Sequence, residues 1–241
     1  MSNICAYTAV CEEDSCWLDQ YLAEAERLAM PFAMLLDRCS ARTKERVRGH
    51  RLCIGTTEQN DPAAEFEEWF KQGPFDLVAD SFEGYRWAMA WDVDETYERE
   101  APRKLSEIVA LDVDYVDITW TNLWGNSRHV RTDGPFGSGH RVKFYNLRRH
   151  CWMFTHKITN GPKAVDARGK PLDMLSPVKH REHRSDLVCL HWGMMTEELR
   201  ALHKSRWDRI YTAAVGDNPY GFWRYATDET ITPTIVEHDY L

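Results

Sequence analysis

The 241 residues are within reach of one α/β domain, and 43% hydrophobic content supplies a sizeable core, which excludes a disordered chain. A net charge of −8 works against nucleic acid or anionic lipid as the default partner, since both bind through phosphate neutralisation. The basic run Arg141 to Arg149 (RVKFYNLRR) reads first as a solvated strand edge. Seven Cys, none in CxxC spacing, argue against a disulfide framework or zinc knuckle and for reduced thiols in a cytoplasmic protein. Met1 to Cys11 lacks the basic start of a secretory leader, and no apolar run approaches the ~20 residues that span a bilayer.

In chain order, Ile4 to Val10 predicts a buried strand. Glu12 to Ser15 then place acids before a helix whose inner face is Trp17, Leu18, Tyr21, Leu22, Ala25 and Leu28, stopped by Pro31. Phe32 to Leu36 predicts a second strand ending at Asp37, which makes a right-handed β-α-β unit. Asp61-Pro62 opens another helix with Phe66, Trp69 and Phe70 inside, ended by Gly73-Pro74. Tyr85 to Val93 predicts a third strand running into acids, and residues 102–110 a short helix. Tyr115 to Asn122 predicts a strand, Asn126 to His140 a loop, and Arg141 to Tyr145 and Leu187 to His191 two more strands. Thr196 caps a last helix with Leu199, Leu202, Trp207 and Ile210 inward, ended by Gly216.

The sharpest chemical feature is Asp92-Val93-Asp94-Glu95 (DVDE). On a strand, residues i and i+2 share a face, so Asp92 and Asp94 project together from its carboxyl end, where ligands of open α/β sheets bind. Paired carboxylates suit Mg²⁺ or Mn²⁺, and such an ion recruits phosphate oxygens to complete its shell. An acidic turn after a strand is also ordinary solvent-facing structure. Asp37-x-x-Ser40-x-x-Thr43 follows the second strand, with Ser40 and Thr43 equally suited to capping the next segment.

Taken together, Cys5 to Glu13, Asp37 to Thr43 and Trp87 to Glu95 (WAMAWDVDE) resemble the family-2 type glycosyltransferases, over about residues 4–125. Those enzymes show, in the same order, a strand with an acidic loop, a second strand ending in D-x-x-S-x-x-T, and a later strand ending in D-x-D. The resemblance implies a GT-A fold, a Rossmann-like α/β/α sandwich in a single domain over 1–241. About 1–125 would form the nucleotide-sugar half and 126–241 the acceptor-shaping half. It implies that Thr8, Ala9 and Val10 line the base pocket and that Glu12 or Glu13 approaches the base or ribose. Asp37 would hydrogen-bond the base, Asp92 would face the ribose or the metal, and Asp94 would ligate the metal.

A further ligand, often His, comes late in many such enzymes. His191 is the first choice, with His183 and His156 as rivals and a structural histidine as the alternative. With His191 as ligand, Mn²⁺ is favoured over Mg²⁺. Arg131-Thr132-Asp133 would hold donor sugar or acceptor, or form a structural ion pair. Asp133 and Glu182 are the candidate bases for an inverting reaction; without a clear base motif, a retaining enzyme is equally admitted. Lys157 and the run Gly216 to Trp223 suggest a lid or, more simply, a turn.

The expected activity is hexosyl transfer from a nucleoside-diphosphate sugar, UDP-linked as the first guess, to a hydroxyl acceptor. That acceptor could be a protein, a glycan, a lipid carrier or a modified nucleobase. Two rivals stand beside it. A nucleotidylyltransferase needs a Gly-rich basic loop after the first strand, where this chain has Glu12-Glu13-Asp14. A non-catalytic carbohydrate- or partner-binding protein would keep the fold without turnover.

Overall fold

The computed structural model describes residues 3–61, 71–81, 84–134, 139–154, 162–166, 168, 181–205 and 232–241. Its centre is β1 (Ile4–Cys11), hydrogen-bonded in parallel to β2 (Phe32–Asp37) on one side and β4 (Trp87–Ala90) on the other. β3 (Cys53–Gln59) extends the parallel run beyond β2. Buried on both faces, β1 and β2 are almost wholly apolar, as a covered parallel sheet requires.

Parallel neighbours need crossovers, and helices supply them. A 3-10 turn, Glu12–Trp17, leads into α1 (Leu18–Leu28), which ends in left-handed Ala29 (φ 47°), two residues before Pro31. Glu24, on the same helix, is buried because it accepts both Arg27 nitrogens and the Tyr97 amide (2.8 Å). Between β2 and β3, α2 (Ala41–Arg48) starts at Ser40, whose hydroxyl accepts the Thr43 amide at 3.3 Å. Ser40→Ala is therefore expected to cost about 1 kcal/mol in urea unfolding; an unchanged midpoint would show the cap to be dispensable.

Downstream the sheet becomes mixed. β8 (Gly139–Asn146) runs antiparallel to both β4 and β6 (Tyr115–Trp124), and β11 (Glu182–His191) lies parallel to β6. β6 and β11 therefore point the same way as β1, and the carboxyl ends of β1, β2, β4, β6 and β11 share one edge. β5 (Glu95–Tyr97) pairs antiparallel with the end of β11, and β7 (Asn126–Arg131) forms a hairpin with β6. β12 (Ile235–Glu237) borders β7, and the pair β9 (Cys151–Met153) and β10 (Lys163–Val165) stands apart.

Helices cover both faces. Leu18, Tyr21 and Ala25 of α1, with Ala101, Leu105 and Ile108 of α4 (Ala101–Ala110), pack on Ile4, Ala6, Met34 and Trp87. Phe75 and Val78 of α3 (Gln72–Ala79) pack on Tyr7, Ala33 and Tyr145 from the other side. The chain is an α/β/α sandwich around a mixed sheet, the class the sequence predicts.

Several local expectations are corrected. Gly73-Pro74 opens α3 rather than closing a helix; proline is tolerated in a first turn because its missing N–H would have no partner there. Residues 126–131 form a strand, not a loop, its polar side chains half in solvent at the sheet's border. Leu202 is 44% exposed, so the 197–205 helix does not turn it inward. The expected helix stripe at Phe66, Trp69 and Phe70, together with His156, Lys157, Trp207, Ile210 and the run 216–223, lies outside the described residues. No described helix is long and apolar enough to cross a membrane.

Candidate active site at the carboxyl edge of the sheet

β4 ends at Ala90, before the acids, so Asp92 and Asp94 lie on a turn and not on a strand. The Glu95 amide closes that turn onto the Asp92 carbonyl (3.1 Å), and the Trp91 indole N–H donates to the Glu95 carbonyl (3.0 Å). Trp91 is anchored in turn, 4.5 Å from the Tyr21 ring. The two aspartates consequently have different partners, contrary to the shared-face expectation.

Asp94 is buried. Its Oδ2 lies 3.0 Å from His191 Nε2 and 3.6 Å from His203 Nε2. His191 closes β11 opposite Glu95, and its Nδ1 meets Asn122 Oδ1 of β6 at 2.8 Å. As placed, Nδ1–H donates to Asn122, which directs Nε2 at Asp94. Burial opposes the imidazolium, but Asp94, Glu95 and Asp92 outweigh it and raise the His191 pKa. Burial likewise opposes the Asp94 anion, and the two histidines outweigh that and lower its pKa.

Gly193 lies directly against this group. A Cβ there would stand 2.5 Å from Asp94 Oδ2, 2.7 Å from His203 Nε2 and 3.0 Å from His191 Nε2. The three donor atoms thus press on Gly193 so closely that only glycine fits beneath them. Its backbone is not left-handed, so the constraint is space and not conformation. One carboxylate and two imidazoles suit a first-row divalent ion. They are not drawn up to coordination distance: among the described residues no three His, Cys, Asp or Glu side chains already stand in metal-ligand geometry. By ligand type alone, the donor set fits such an ion.

Asp92, 46% exposed at its side chain, accepts Lys71 Nζ at 2.8 Å, with Lys143 Nζ at 3.8 Å. Desolvation pushes its pKa up, but the two ammoniums hold it well below the usual carboxylate range. Glu95 lies beneath, 1% exposed and saturated: Lys143 Nζ donates to both oxygens (2.7 and 2.8 Å), Trp120 Nε1 to Oε1 (2.8 Å) and the Asp92 amide to Oε2 (3.0 Å). Lys143 reaches this position because it is the extra residue of a bulge: Val116 pairs with Phe144, and Asp117 with Val142.

The other expected residues spread more widely. Asp37 ends β2 on the same edge, buried and held by its neighbour Arg38 at 3.0 and 2.7 Å, with Arg38 in the left-handed region (φ 53°). Glu12 faces α2: its Oε2 accepts the Ser40 amide (2.8 Å) and the Thr43 hydroxyl (3.1 Å), and the Ser40 amide chiefly lowers its pKa. Glu13 is exposed. Thr8 and Val10 are sealed in the interior, 0% and 1% exposed, and of the three supposed base-pocket residues only Ala9 keeps some surface.

Arg131 is buried, pairs with Asp133 at 2.9 Å through two nitrogens, and stacks on Trp124 (4.5 Å). Asp133 Oδ1 also accepts the Thr234 amide at 2.8 Å, which ties β7 to the C-terminal segment. Glu182 and His183 begin β11, about 30 Å of strand away from His191 at its end. Neither Asp133 nor Glu182 joins the Asp94 group.

His203, Lys71, Lys143, Trp120 and Asn122 belong to the site without having been singled out by the sequence. His203 had one legible signal: it lies four residues after Leu199, on the same helical face.

Neither a comparison with models of known protein families nor one with curated protein sequences finds a match. Solved structures do resemble the fold. A putative nucleotide-diphospho-sugar transferase from Desulfovibrio desulfuricans G20 superposes with a TM-score of 0.43 at 8% identity, over 89% of this chain and 92% of that one. A putative glucose-1-phosphate thymidylyltransferase from Bacillus anthracis gives 0.39 at 8% identity, over 60% and 72%. A glycosyltransferase involved in the glycosylation of the major capsid of PBCV-1 gives 0.31 at 14% identity, over 59% of each chain. Likenesses this loose assign no reaction; a reaction has to follow from the chain's own residues.

Proposed function

We propose that this chain is a glycosyltransferase that moves a sugar, of hexosyl type, from a nucleoside-diphosphate sugar to a hydroxyl acceptor, with Mn²⁺ or Mg²⁺ at Asp94, His191 and His203. The observation that carries the reading is the convergence of one carboxylate and two imidazoles over Gly193, at the sheet edge where α/β proteins bind ligands. Two imidazoles favour Mn²⁺ of the two ions. Bound there, a divalent ion would supply Lewis-acid neutralisation for a diphosphate leaving group.

The chain's own groups do the rest. Asn122 fixes the His191 ring, so that Nε2 faces Asp94. Asp92, half-exposed and kept anionic by Lys71 and Lys143, would accept a ribose hydroxyl. Asp37, at the end of β2, would be the partner of the base once Arg38 yields one of its oxygens. The exposed acids Glu12 and Glu13 at the end of β1 repel a triphosphate, which weighs against nucleotidyl transfer.

Slow release of UDP from UDP-glucose in Mn²⁺, abolished by EDTA and by Asp94→Asn, is the expected activity; release that survives both would remove the metal from the account. Asp37→Ala is expected to weaken UDP binding by about 1–3 kcal/mol, the cost of a lost buried hydrogen bond. An unaltered dissociation constant would take Asp37 out of the base site.

A further inference from the structure

Next to the Asp94 group lies a cation that the transfer reaction, as read above, does not use. The Arg141 guanidinium stacks on the Trp120 ring, 5.0 Å from its centroid. Trp120 is itself fixed: its Nε1 donates to buried Glu95, and its ring lies 4.7 Å from the His191 ring at an interplanar angle of 30°. Arg141 is half-buried, and its guanidinium has neither a hydrogen bond nor an ion pair among the described residues. Asp117 feels its charge, but the ion pair of Asp117 is with Arg184, at 3.7 Å. The contrast with its surroundings is plain, since Lys143 and Arg149 of the same basic run are both spent on carboxylates.

We propose that Arg141 is an anion-binding group that receives a phosphoryl group of a substrate beside the Asp94 site. Stacking on Trp120 holds the guanidinium plane still, so little side-chain freedom is lost when an oxyanion docks. The planar N–H fork matches two phosphoryl oxygens, an arrangement lysine cannot copy. Half-burial strengthens the attraction relative to a surface arginine. The position, one aromatic ring away from His191, puts the anion within reach of a molecule bound at the carboxyl edge. The identity of that molecule rests on the glycosyltransferase reading; the anion site itself does not. Two sources share the chemistry: the diphosphate of the donor, or a phosphoryl group on the acceptor.

The test is calorimetric titration at low salt with two probes, inorganic phosphate alone and UDP with Mn²⁺, into the parent, Arg141→Gln and Arg141→Lys. Glutamine keeps a flat polar end on Trp120, and thermal unfolding checks that each variant folds. Phosphate is expected to bind the parent in the millimolar range, at least about tenfold more weakly to Arg141→Gln, and at an intermediate level to Arg141→Lys. A loss confined to phosphate assigns the site to the acceptor, and a matching loss for UDP assigns it to the donor. Equal phosphate binding in parent and Arg141→Gln, or none in the parent, overturns the proposal. Failure of the glycosyltransferase reading shows separately, as a parent that binds phosphate and not UDP.

Discussion

Lys143→Met is expected to destabilise the protein by about 3–5 kcal/mol, because it leaves the Glu95 carboxylate buried with its main counter-charge gone. In the parent, Lys143 donates to both Glu95 oxygens and is itself buried. The favourable Coulomb energy of such a pair roughly offsets the cost of desolvating it, so the pair adds little net stability; breaking it is what is costly. For a chain of this length the loss corresponds to a fall in Tm of roughly 6–20 °C. The double variant Lys143→Met with Glu95→Gln should recover part of it, since no charge is then stranded, although the carboxamide offers one acceptor oxygen where Trp120 and the Asp92 amide used two. A single variant within about 1 kcal/mol of the parent would show that water reaches Glu95.

The pH dependence has a definite sign. Burial lowers the pKa of Lys143, but Glu95 and Asp92 outweigh burial and raise it above the ordinary lysine value. A raised lysine contributes stability that is fully present below its unfolded pKa, about 10.4, and is lost only as pH rises through the higher folded value. The Lys143 contribution should therefore be constant across neutral pH and disappear on the alkaline side.

Gly193→Ala is expected to cut divalent-metal affinity on the order of 100-fold while leaving the fold intact. The new methyl would stand only 2.5, 2.7 and 3.0 Å from Asp94 Oδ2, His203 Nε2 and His191 Nε2, so these donor atoms must shift. All three are ends of side chains, so they can swing aside without moving the backbone, and the alanine meets no left-handed φ. Displacement of ligands by a few tenths of an ångström or more is what a coordination site tolerates least. Competition between Mn²⁺ and a coloured chelator measures the change, and a urea midpoint close to the parent's confirms the fold. Equal affinities for parent and variant would place the metal elsewhere.

Much of the frame was legible because burial on both faces writes itself into composition. β1, β2 and α1 read correctly from continuous apolar runs and one helical stripe, and α4, β6, β8 and β11 were located within a few residues. Strands at the border were not legible in the same way. β3 (CIGTTEQ) has no fully buried residue, and β7 begins Asn-Ser-Arg, so hydrogen bonding to a neighbour fixes them and not an apolar pattern. The third strand, predicted to run to Val93, stops at Ala90, because the turn that follows is set by Trp91 and Glu95 bonding across it, a tertiary matter.

The site followed the same division. Asp94 and His191 could be found as polar residues close behind apolar strands. Lys71 and Lys143 reach Asp92 from 21 and 51 positions away in the chain, and no local pattern marks such a meeting. The family resemblance implies that Thr8 and Val10 touch a ligand, yet both are sealed in the interior of a strand covered on both faces.

The central claim is that nucleotide binding at this edge depends on a metal held by the Asp94 group, and calorimetric titration of UDP in Mn²⁺ and again in EDTA tests it most directly. The account predicts a saturable isotherm in Mn²⁺ that vanishes in EDTA. Binding of the same strength in both, or in neither, would contradict it.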